Sequence, residues 1–378
     1  MRGTVLAAVA VTAALTLAGC AKDSGAPSGG GTAAGSPCKL APKPPAAAAG
    51  TSGSKTPEKA DGSALKVGLA FDIGGRGDAS FNDSAAAGVD KAITDLGVKK
   101  ENVKELSAGP NESEDAKQTR LRQLASDGVN PIIAVGFAYA DALKAVAPQF
   151  PNTKFAIVDA SVEGAPNVTP LVFAEEQGSF LAGVIAAYKT QKCNVAFVGG
   201  VETPLIQKFE AGYYQGAKAA APDIKLDKKY LTPAGDFTGF QDPSKGNAAA
   251  NGLIDRGADV LYHAAGASGK GVFSAAKAKG VMAIGVDSDQ YNQKTVEQER
   301  DVIISSMLKR VDVAVFDYLL AVAKNDLAAL PKVFDLKVDG VGYSTSGGKI
   351  DSELQAVLEG YKAQIIAGQI KVSDKPTS

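Results

Sequence analysis

Three side chains that can bind a small molecule lie within one short stretch of the sequence. Asp72, Phe81 and Asn82 fall between an apolar run at 66–71 and a segment with helical spacing at 84–96. A carboxylate can accept hydrogen bonds from two hydroxyls, an amide can donate and accept, and an aromatic face can stack on a planar heterocycle. The stretch therefore predicts a binding surface at the start of a helix.

Further candidate binding residues are spread along the rest of the chain. They are Phe137, Asp141, Phe209, Gly266, Asp287 and Lys309. A carboxylate at a strand end, such as that of Asp287, and an ammonium group, such as that of Lys309, suit the hydroxyls of a ribose. Aromatic rings among these residues would offer faces to a base.

The same stretches argue against phosphate binding and catalysis. Residues 75–80 lack the third glycine of a dinucleotide fingerprint, and Asp72 and Asp78 would repel a phosphate. The chain has one histidine, His263, and it has no Gly-x-Ser-x-Gly, HExxH or CxxC motif. We therefore expect no enzyme activity, no metal site and no cofactor. A glycine-rich connector that binds nothing remains the alternative for residues 74–78.

Strands and helices alternate along the sequence and would position these side chains. Apolar runs of four to six residues are separated by segments with helical periodicity, which implies parallel sheets covered by helices. Because there are too many strands for one compact unit, we predict an α/β protein with two Rossmann-like lobes. We place chain crossings near 172–183, 287–290 and 325–331. Ser80 or Asn82 is expected to cap the first helix.

The N-terminus has the features of a bacterial lipoprotein. Residues 1–19 combine a positive end with an apolar core too short to span a membrane, which predicts a signal peptide. The junction before Cys20 resembles a lipobox, so Cys20 would carry lipid and hold the protein on the extracytoplasmic face of the cell membrane. Residues 20–64 predict a disordered tether, and residues 65–372 suffice for two domains.

The remaining cysteines and the charge balance restrict the structure and the partners. In an oxidising compartment Cys38 and Cys193 can form a disulfide bond. The alternative, in which Cys193 is a small buried residue and Cys38 is free, stays open. A net charge of −1 with interspersed signs excludes a strongly cationic surface, so we expect no nucleic-acid partner.

Several motifs in the body of the chain resemble those of one protein family. They occupy residues 66–82, 173–183, 198–200, 257–260, 265–269, 285–290 and 306–312. This set resembles the basic membrane protein family, also called the PnrA-like family, of ABC transporter substrate-binding lipoproteins. The resemblance implies a type I periplasmic-binding-protein-like fold with a hinge of crossing strands. It also implies capture of purine nucleosides (adenosine, guanosine, inosine) in a cleft between the lobes, for an ABC permease and ATPase.

The resemblance also suggests how the chain is divided. Residues 65–174 and 289–328 would form lobe I, and residues 175–288 and 329–372 would form lobe II of a monomer. The segment 232–242 reads as an insertion.

Roles for individual residues follow from the matching motifs. Asp72 and Asn82 would be polar groups of the cleft, and Phe81 would stack on the base. Asp287 and Lys309 match the pair that grips the ribose hydroxyls. Phe209 would form the opposing aromatic wall, and Asp141 would hydrogen-bond to the base edge. Competing functions are a sugar or signalling-molecule binder of the same fold, a surface sensor without a transporter, and a nucleosidase.

Overall fold

The first lobe is built around a parallel sheet, in a computed structural model that describes residues 38–46 and 60–376. Its strands are β1 (Val67–Phe71), β2 (Val103–Ser107), β3 (Ile132–Ala134), β4 (Phe155–Val158) and β5 (Val168–Leu171). They are ordered β2-β1-β3-β4-β5. Every residue of β1, β3 and β4 is buried, because helices cover both faces of the sheet.

Three helices supply that cover. They are α1 (Phe81–Asp95), α2 (Glu114–Ser126) and α3 (Ala140–Val146). Alternate residues of β1 divide between the two faces, since Leu69 belongs to the apolar cluster that includes α1 and Ala70 to the one that includes α2 and α3.

The second lobe contains a six-stranded sheet. Its strands are β6 (Asn194–Val201), β7 (Lys225–Thr232), β8 (Val260–Ala264), β9 (Met282–Asp287), β10 (Ile303–Lys309) and β11 (Val341–Tyr343). They are ordered β11-β10-β9-β8-β6-β7, and only β11 is antiparallel to its neighbour. The two lobes confirm the predicted α/β fold with parallel sheets.

Helices also cover both faces of the second sheet. One face carries α4 (Glu175–Lys189), α5 (Pro204–Ala220) and α9 (Ser352–Ile366), and the other carries α6 (Pro243–Asp255) and α7 (Gly269–Lys279). Helices α4 and α5 pack very closely at Gly216. A Cβ atom at this position would lie 1.8 Å from the carbonyl oxygen of Phe180. Only glycine fits that position without moving a helix.

The chain crossings differ from the sequence-based expectation at one point. Helix α8 (Val311–Lys324) packs on α1 of the first lobe, where Asp312 N donates to Ser84 Oγ at 3.1 Å. Strand β10, which immediately precedes α8, pairs with β9 in the second sheet. The chain therefore returns to the first lobe at residues 309–311, and the crossing predicted at 287–290 is wrong. Segment 289–328 is divided between the lobes instead of belonging to lobe I.

The other two crossings lie side by side. Phe334 N donates to Val172 O at 2.9 Å, and Ala174 N donates to Phe334 O at 3.2 Å. The rings of Phe173 and Phe334 also pack with centroids 5.3 Å apart. This short parallel pairing joins the strand that leaves the first lobe to the segment that leads from α8 to β11.

The N-terminal segment is attached to the second lobe. Cys38 and Cys193 are joined by a disulfide bond, and Cys38 is almost fully buried. Ala41 N donates to Ala220 O at 2.8 Å, at the end of α5. Part of the predicted tether, residues 38–46, is therefore ordered on the protein body. The predicted signal peptide and Cys20 lie outside the described residues.

Among the helices of the described ranges, none combines the length and the apolar character that a membrane span requires.

Candidate functional site

A cleft lies between the two lobes, at the carboxyl ends of their strands. It is lined by Asp72, Ile73, Asp78, Phe81, Asn82, Phe137, Asp159, Leu205, Ile206, Phe209, Phe240, Ala264, Gly266, Ala267, Val286, Asp287 and Lys309. Eight of the nine predicted binding residues are in this set. The exception is Asp141, which is exposed in the first turn of α3.

The turn between β1 and α1 is held together by its own carboxylates. Asp78 accepts hydrogen bonds from the backbone N–H groups of Ser80, Asn82 and Asp83, at 2.9 to 3.1 Å. Asp83 in turn accepts from the N–H groups of Gly77 and Ala79. Asp78 therefore caps α1, in place of the expected Ser80 or Asn82. These N–H groups are already bonded to carboxylates and are not available to a phosphate.

The amide of Asn82 serves the same turn. Its Oδ1 accepts from Asp72 N at 3.1 Å, and its Nδ2 donates to Ile73 O and to Asp78 Oδ2, each at 3.2 Å. Asn82 lines the cleft, but its polar atoms already have partners within the turn. The structure thus gives Asn82 a positioning role for Asp72 and Phe81.

The carboxylate of Asp72 lies at the end of β1 and lines the cleft. Its Oδ1 accepts from Ile73 N at 2.8 Å. A Cβ atom at Gly136 would lie 2.7 Å from its Oδ2, and Gly136 has a φ of 111°, so only glycine makes room for this carboxylate. Burial raises the pKa of Asp72 to about 6, against the opposing effect of the Ile73 N–H.

Lys309 is the most enclosed charge of the cleft. Its Nζ lies 2.6 Å from Asp159 at the end of β4 and 3.3 Å from Glu175 Oε1 at the start of α4. The ring centroids of Phe81, Phe173 and Phe209 lie 5.0, 5.1 and 5.5 Å from the same nitrogen. Lys309 thus contacts both lobes at once.

The ionisation of this cluster follows from its neighbours. Burial alone would lower the pKa of Lys309, but the carboxylates of Asp159, Glu175 and Asp287 more than offset it and hold the pKa above its usual value. Burial raises the pKa of Asp159 to about 6, although Lys309 opposes that rise. The sequence analysis missed both Asp159 and Glu175. Asp159 could have been found from the sequence, because it directly follows an apolar run, as Asp72 does.

Asp287 ends β9 and faces the first lobe. Its Oδ2 accepts a hydrogen bond of 2.6 Å from Ser80 Oγ. Burial raises the pKa of Asp287 to about 7, while Lys309 and the Ser80 hydroxyl oppose the rise. Its φ of 62° is unusual for a residue with a side chain, and Asp159 at the end of β4 has a φ of 70°. Such backbone outliers concentrate at functional sites.

Further contacts join the lobes beside Asp287. Ser288 Oγ donates to Ser80 O at 2.8 Å, and Gln290 Nε2 donates to Ala79 O at 3.1 Å. Together with the Ser80–Asp287 bond, they hold the lobes in a closed arrangement around the cleft.

Aromatic rings form much of the remaining wall. Phe209 projects from α5 of the second lobe, and Phe81 opens α1 of the first. Phe240, which the sequence analysis missed, also lines the cleft, and its carbonyl oxygen lies 3.0 Å from where a Cβ of Gly266 would be. Gly266 has no Cβ atom and therefore leaves room for this contact. Its φ of 53° also favours glycine.

The arrangement of polar and aromatic groups suits the binding of a small molecule. In the described ranges, no group of three or more His, Cys, Asp or Glu side chains is placed to hold a metal ion. His263 is fully buried in β8, and burial lowers its pKa to about 4, so it stays neutral at physiological pH. What the cleft presents is carboxylate acceptors, one ammonium group and several aromatic rings.

Comparison with known proteins identifies the family. The model of the PnrA-like ABC transporter substrate-binding proteins, called Bmp, matches residues 65–376. The chain belongs to this family. Its members are substrate-binding proteins and not enzymes, and membership implies a ligand and a transporter that receives it.

Individual relatives and a solved structure agree with this assignment. The ABC transporter nucleoside-binding protein BmpA of Lactococcus lactis is 33% identical, over 82% of this chain and 90% of that protein. An uncharacterized lipoprotein of Pyrococcus horikoshii is 35% identical, over 77% of this chain and 71% of its own length. A solute-binding protein of an ABC transporter system from Aeropyrum pernix superposes with a TM-score of 0.65 at 28% identity, covering 81% of this chain and 92% of that one.

Proposed function

We propose that this Bmp-family protein captures purine nucleosides in the interlobe cleft and delivers them to an ABC importer. The observation that carries the proposal is the position of two aromatic rings beside one buried ammonium. Phe81 of the first lobe and Phe209 of the second both lie within 5.5 Å of Lys309 Nζ and line the cleft. A planar base between rings of opposite lobes would tie their closure to its own binding.

The polar groups suit the ribose of such a ligand. Asp287 accepts one hydrogen bond, from Ser80, and a carboxylate has room for about four. Ribose hydroxyls would donate to it. Lys309, which lies between the carboxylates of Asp159 and Glu175, would donate a hydrogen bond to a hydroxyl oxygen. Asp72 would accept from a ring N–H or an exocyclic amine of the base.

The charge of the cleft favours an uncharged ligand. Among the described residues that line the cleft, Asp72, Asp78, Asp159 and Asp287 are acidic and Lys309 is the only cation. Its charge is already opposed by Asp159. A phosphate group would meet these carboxylates without a free cation to pair with, so nucleotides would bind weakly.

We further propose that the protein works at the outer face of the cell membrane, anchored by lipid on Cys20. The lipobox-like junction at residues 17–20 and the lipoprotein name of the Pyrococcus horikoshii relative support this. Mass spectrometry of the mature N-terminus would detect the acylated cysteine. An unmodified N-terminus, or release of the protein from membranes without any Cys20→Ser change, would contradict it.

Calorimetry tests the ligand. Adenosine, guanosine and inosine are titrated into the purified protein, with free ribose and AMP as matched comparisons. We expect saturable binding of at least one purine nucleoside, with ribose and AMP much weaker. If ribose binds as tightly as guanosine, the cleft is a sugar site. If no nucleoside binds, the proposal is wrong.

A further inference from the structure

The segment 232–242 forms a fixed loop on the second lobe. It contains a short 3-10 helix, Phe237–Phe240. Asp236 Oδ1 accepts from Thr238 N at 3.1 Å, which caps this turn. Ser268 Oγ donates to Gly239 O and accepts from Asp242 N, both at 2.7 Å, and so ties the loop to the strand-to-helix turn after β8. Its side chains are therefore presented in a defined direction.

Two phenylalanines of this loop have different surroundings. Phe240 stays within its own lobe, where its ring packs on Gly200 and lines the cleft. The side chain of Phe237 extends to the first lobe. Its ring meets the edge of Phe137 with centroids 5.7 Å apart and an interplanar angle of 60°, and Lys117 Nζ lies 5.9 Å from its centroid.

We propose that Phe237 is the latch that holds the two lobes closed over the ligand, with Phe137 and Lys117 as its receiving surface. The ring contact exists only when the lobes are together, because its members belong to different lobes. The other contacts between the lobes described above are those at Ser80 and Ala79, which involve or adjoin Asp287, and those of Lys309 with Asp159 and Phe81. The ligand itself would engage both Asp287 and Lys309. Phe237 does not line the cleft, so it acts through closure and not through ligand contact.

This role makes a specific kinetic prediction, which rests on the proposed function for the identity of the ligand. An edge-to-face pair with an adjacent cation contributes enough to change an equilibrium by roughly three- to tenfold. Removing it shifts the population towards the open form and speeds ligand release by that factor. The ratio of affinities for different nucleosides stays unchanged, since Phe237 itself does not line the cleft and Phe137, which does, is still present.

The variants are Phe237→Ala, Phe237→Tyr and a control, Phe316→Ala. Tyrosine keeps the ring and should restore closure. Phe316 is half-buried on α8 beneath Lys91 of α1, at 4.5 Å, so its removal deletes a comparable cation–ring contact within one lobe. Thermal unfolding of each variant establishes that it is folded.

Two measurements decide the matter. The first is energy transfer between fluorophores at exposed Lys144→Cys and Lys229→Cys, one on each lobe, in the ligand-free chain with its disulfide intact. The second is the dissociation rate of guanosine by stopped flow. For Phe237→Ala we expect a larger open fraction and release about three- to tenfold faster, with Phe316→Ala unchanged in both.

The outcomes separate the latch from the proposed ligand. If no nucleoside binds to the wild-type chain, the proposed function fails, but the energy-transfer comparison still tests the latch. If Phe237→Ala leaves the open fraction and the release rate at wild-type values, or if Phe316→Ala changes them equally, Phe237 is not a latch. A change in the guanosine-to-inosine affinity ratio would show that it contacts ligand instead.

Discussion

Removing the cation of the cleft should destabilise the protein in a strongly pH-dependent way. In Lys309→Met the carboxylates of Asp159 and Glu175 lose a partner at 2.6 and 3.3 Å, and Asp287 loses a nearby positive charge. Glu175 keeps Lys208 at 3.1 Å, whereas Asp159 has no such second ion pair among the described residues. The main cost is therefore one carboxylate left buried and uncompensated.

The expected loss follows from the burial of the pair. Lys309 and Asp159 are only 2% and 4% exposed, so solvent screens little of their interaction. Breaking a buried pair by removing one partner typically costs about 3–5 kcal/mol of the free energy of unfolding. We expect this loss near pH 8.

The sign of the pH dependence comes from the raised pKa values. The pKa of Asp159 is about 6 and that of Asp287 about 7 in the folded protein, both above the ordinary value of 3.8. The stability that such groups contribute is fully present below about pH 4 and is lost as the pH rises through 6 to 7. Without Lys309 both pKa values rise further, so the carboxylates are protonated and neutral near pH 5. The destabilisation should then largely disappear.

Urea unfolding followed by circular dichroism at several pH values measures this. The double variant Lys309→Met with Asp159→Asn removes both charges and should recover at least half of the loss near pH 8. Lys91→Met is the matched control, because Lys91 is exposed and solvent screens both its ion pair with Asp95 and its contact with the Phe316 ring, so little stability should be lost. A loss below about 1 kcal/mol in Lys309→Met near pH 8, or an equal loss near pH 5, would refute the reasoning.

Three further predictions concern the site and the scaffold. Asp287→Ala should weaken all ribosyl ligands alike, whereas Phe81→Ala should penalise nucleosides more than free ribose; calorimetry that finds equal losses in both variants contradicts the assigned roles. Replacing Cys38 and Cys193 by serine opens a loop with a sequence separation of 155 and should cost up to about 5 kcal/mol of unfolding free energy, with nucleoside affinity unchanged. Gly216→Ala should lower the thermal midpoint, because its Cβ would lie 1.8 Å from a backbone oxygen of α4; an unchanged midpoint would show that α4 and α5 can separate.

Local patterns in the sequence were sufficient for the elements and for much of the cleft. The apolar run before Asp72 and the helical spacing after Phe81 predicted β1 and α1, since short buried strands and amphipathic helices have distinct periods. Asp287 was found in the same way, as a polar residue ending an apolar run. In parallel α/β lobes, residues at the carboxyl ends of strands lie at ligand clefts. A polar residue directly after an apolar run could therefore be assigned to the cleft from the sequence.

The errors arose where partners come from distant parts of the chain. The crossing at 309–311 was missed because strand order depends on which edges pair, and no local pattern distinguishes β10 as a neighbour of β9. Asp141 was proposed for the site, yet helix α3 leaves it exposed. Asp78 replaced Ser80 as the cap of α1, because the turn bends back far enough to bring three N–H groups to one carboxylate.

The sequence by itself determined the α/β alternation, the strand–turn–helix unit that places residues 71–83 at the cleft, and the family, because these depend on residue types at fixed local spacing. Only the tertiary structure decided which charges meet. Lys309 pairs with Asp159, 150 positions away, and with Glu175, and Phe237 reaches Phe137 across the lobes. Such pairs form where separate strands and loops converge, so packing and not local spacing brings them together.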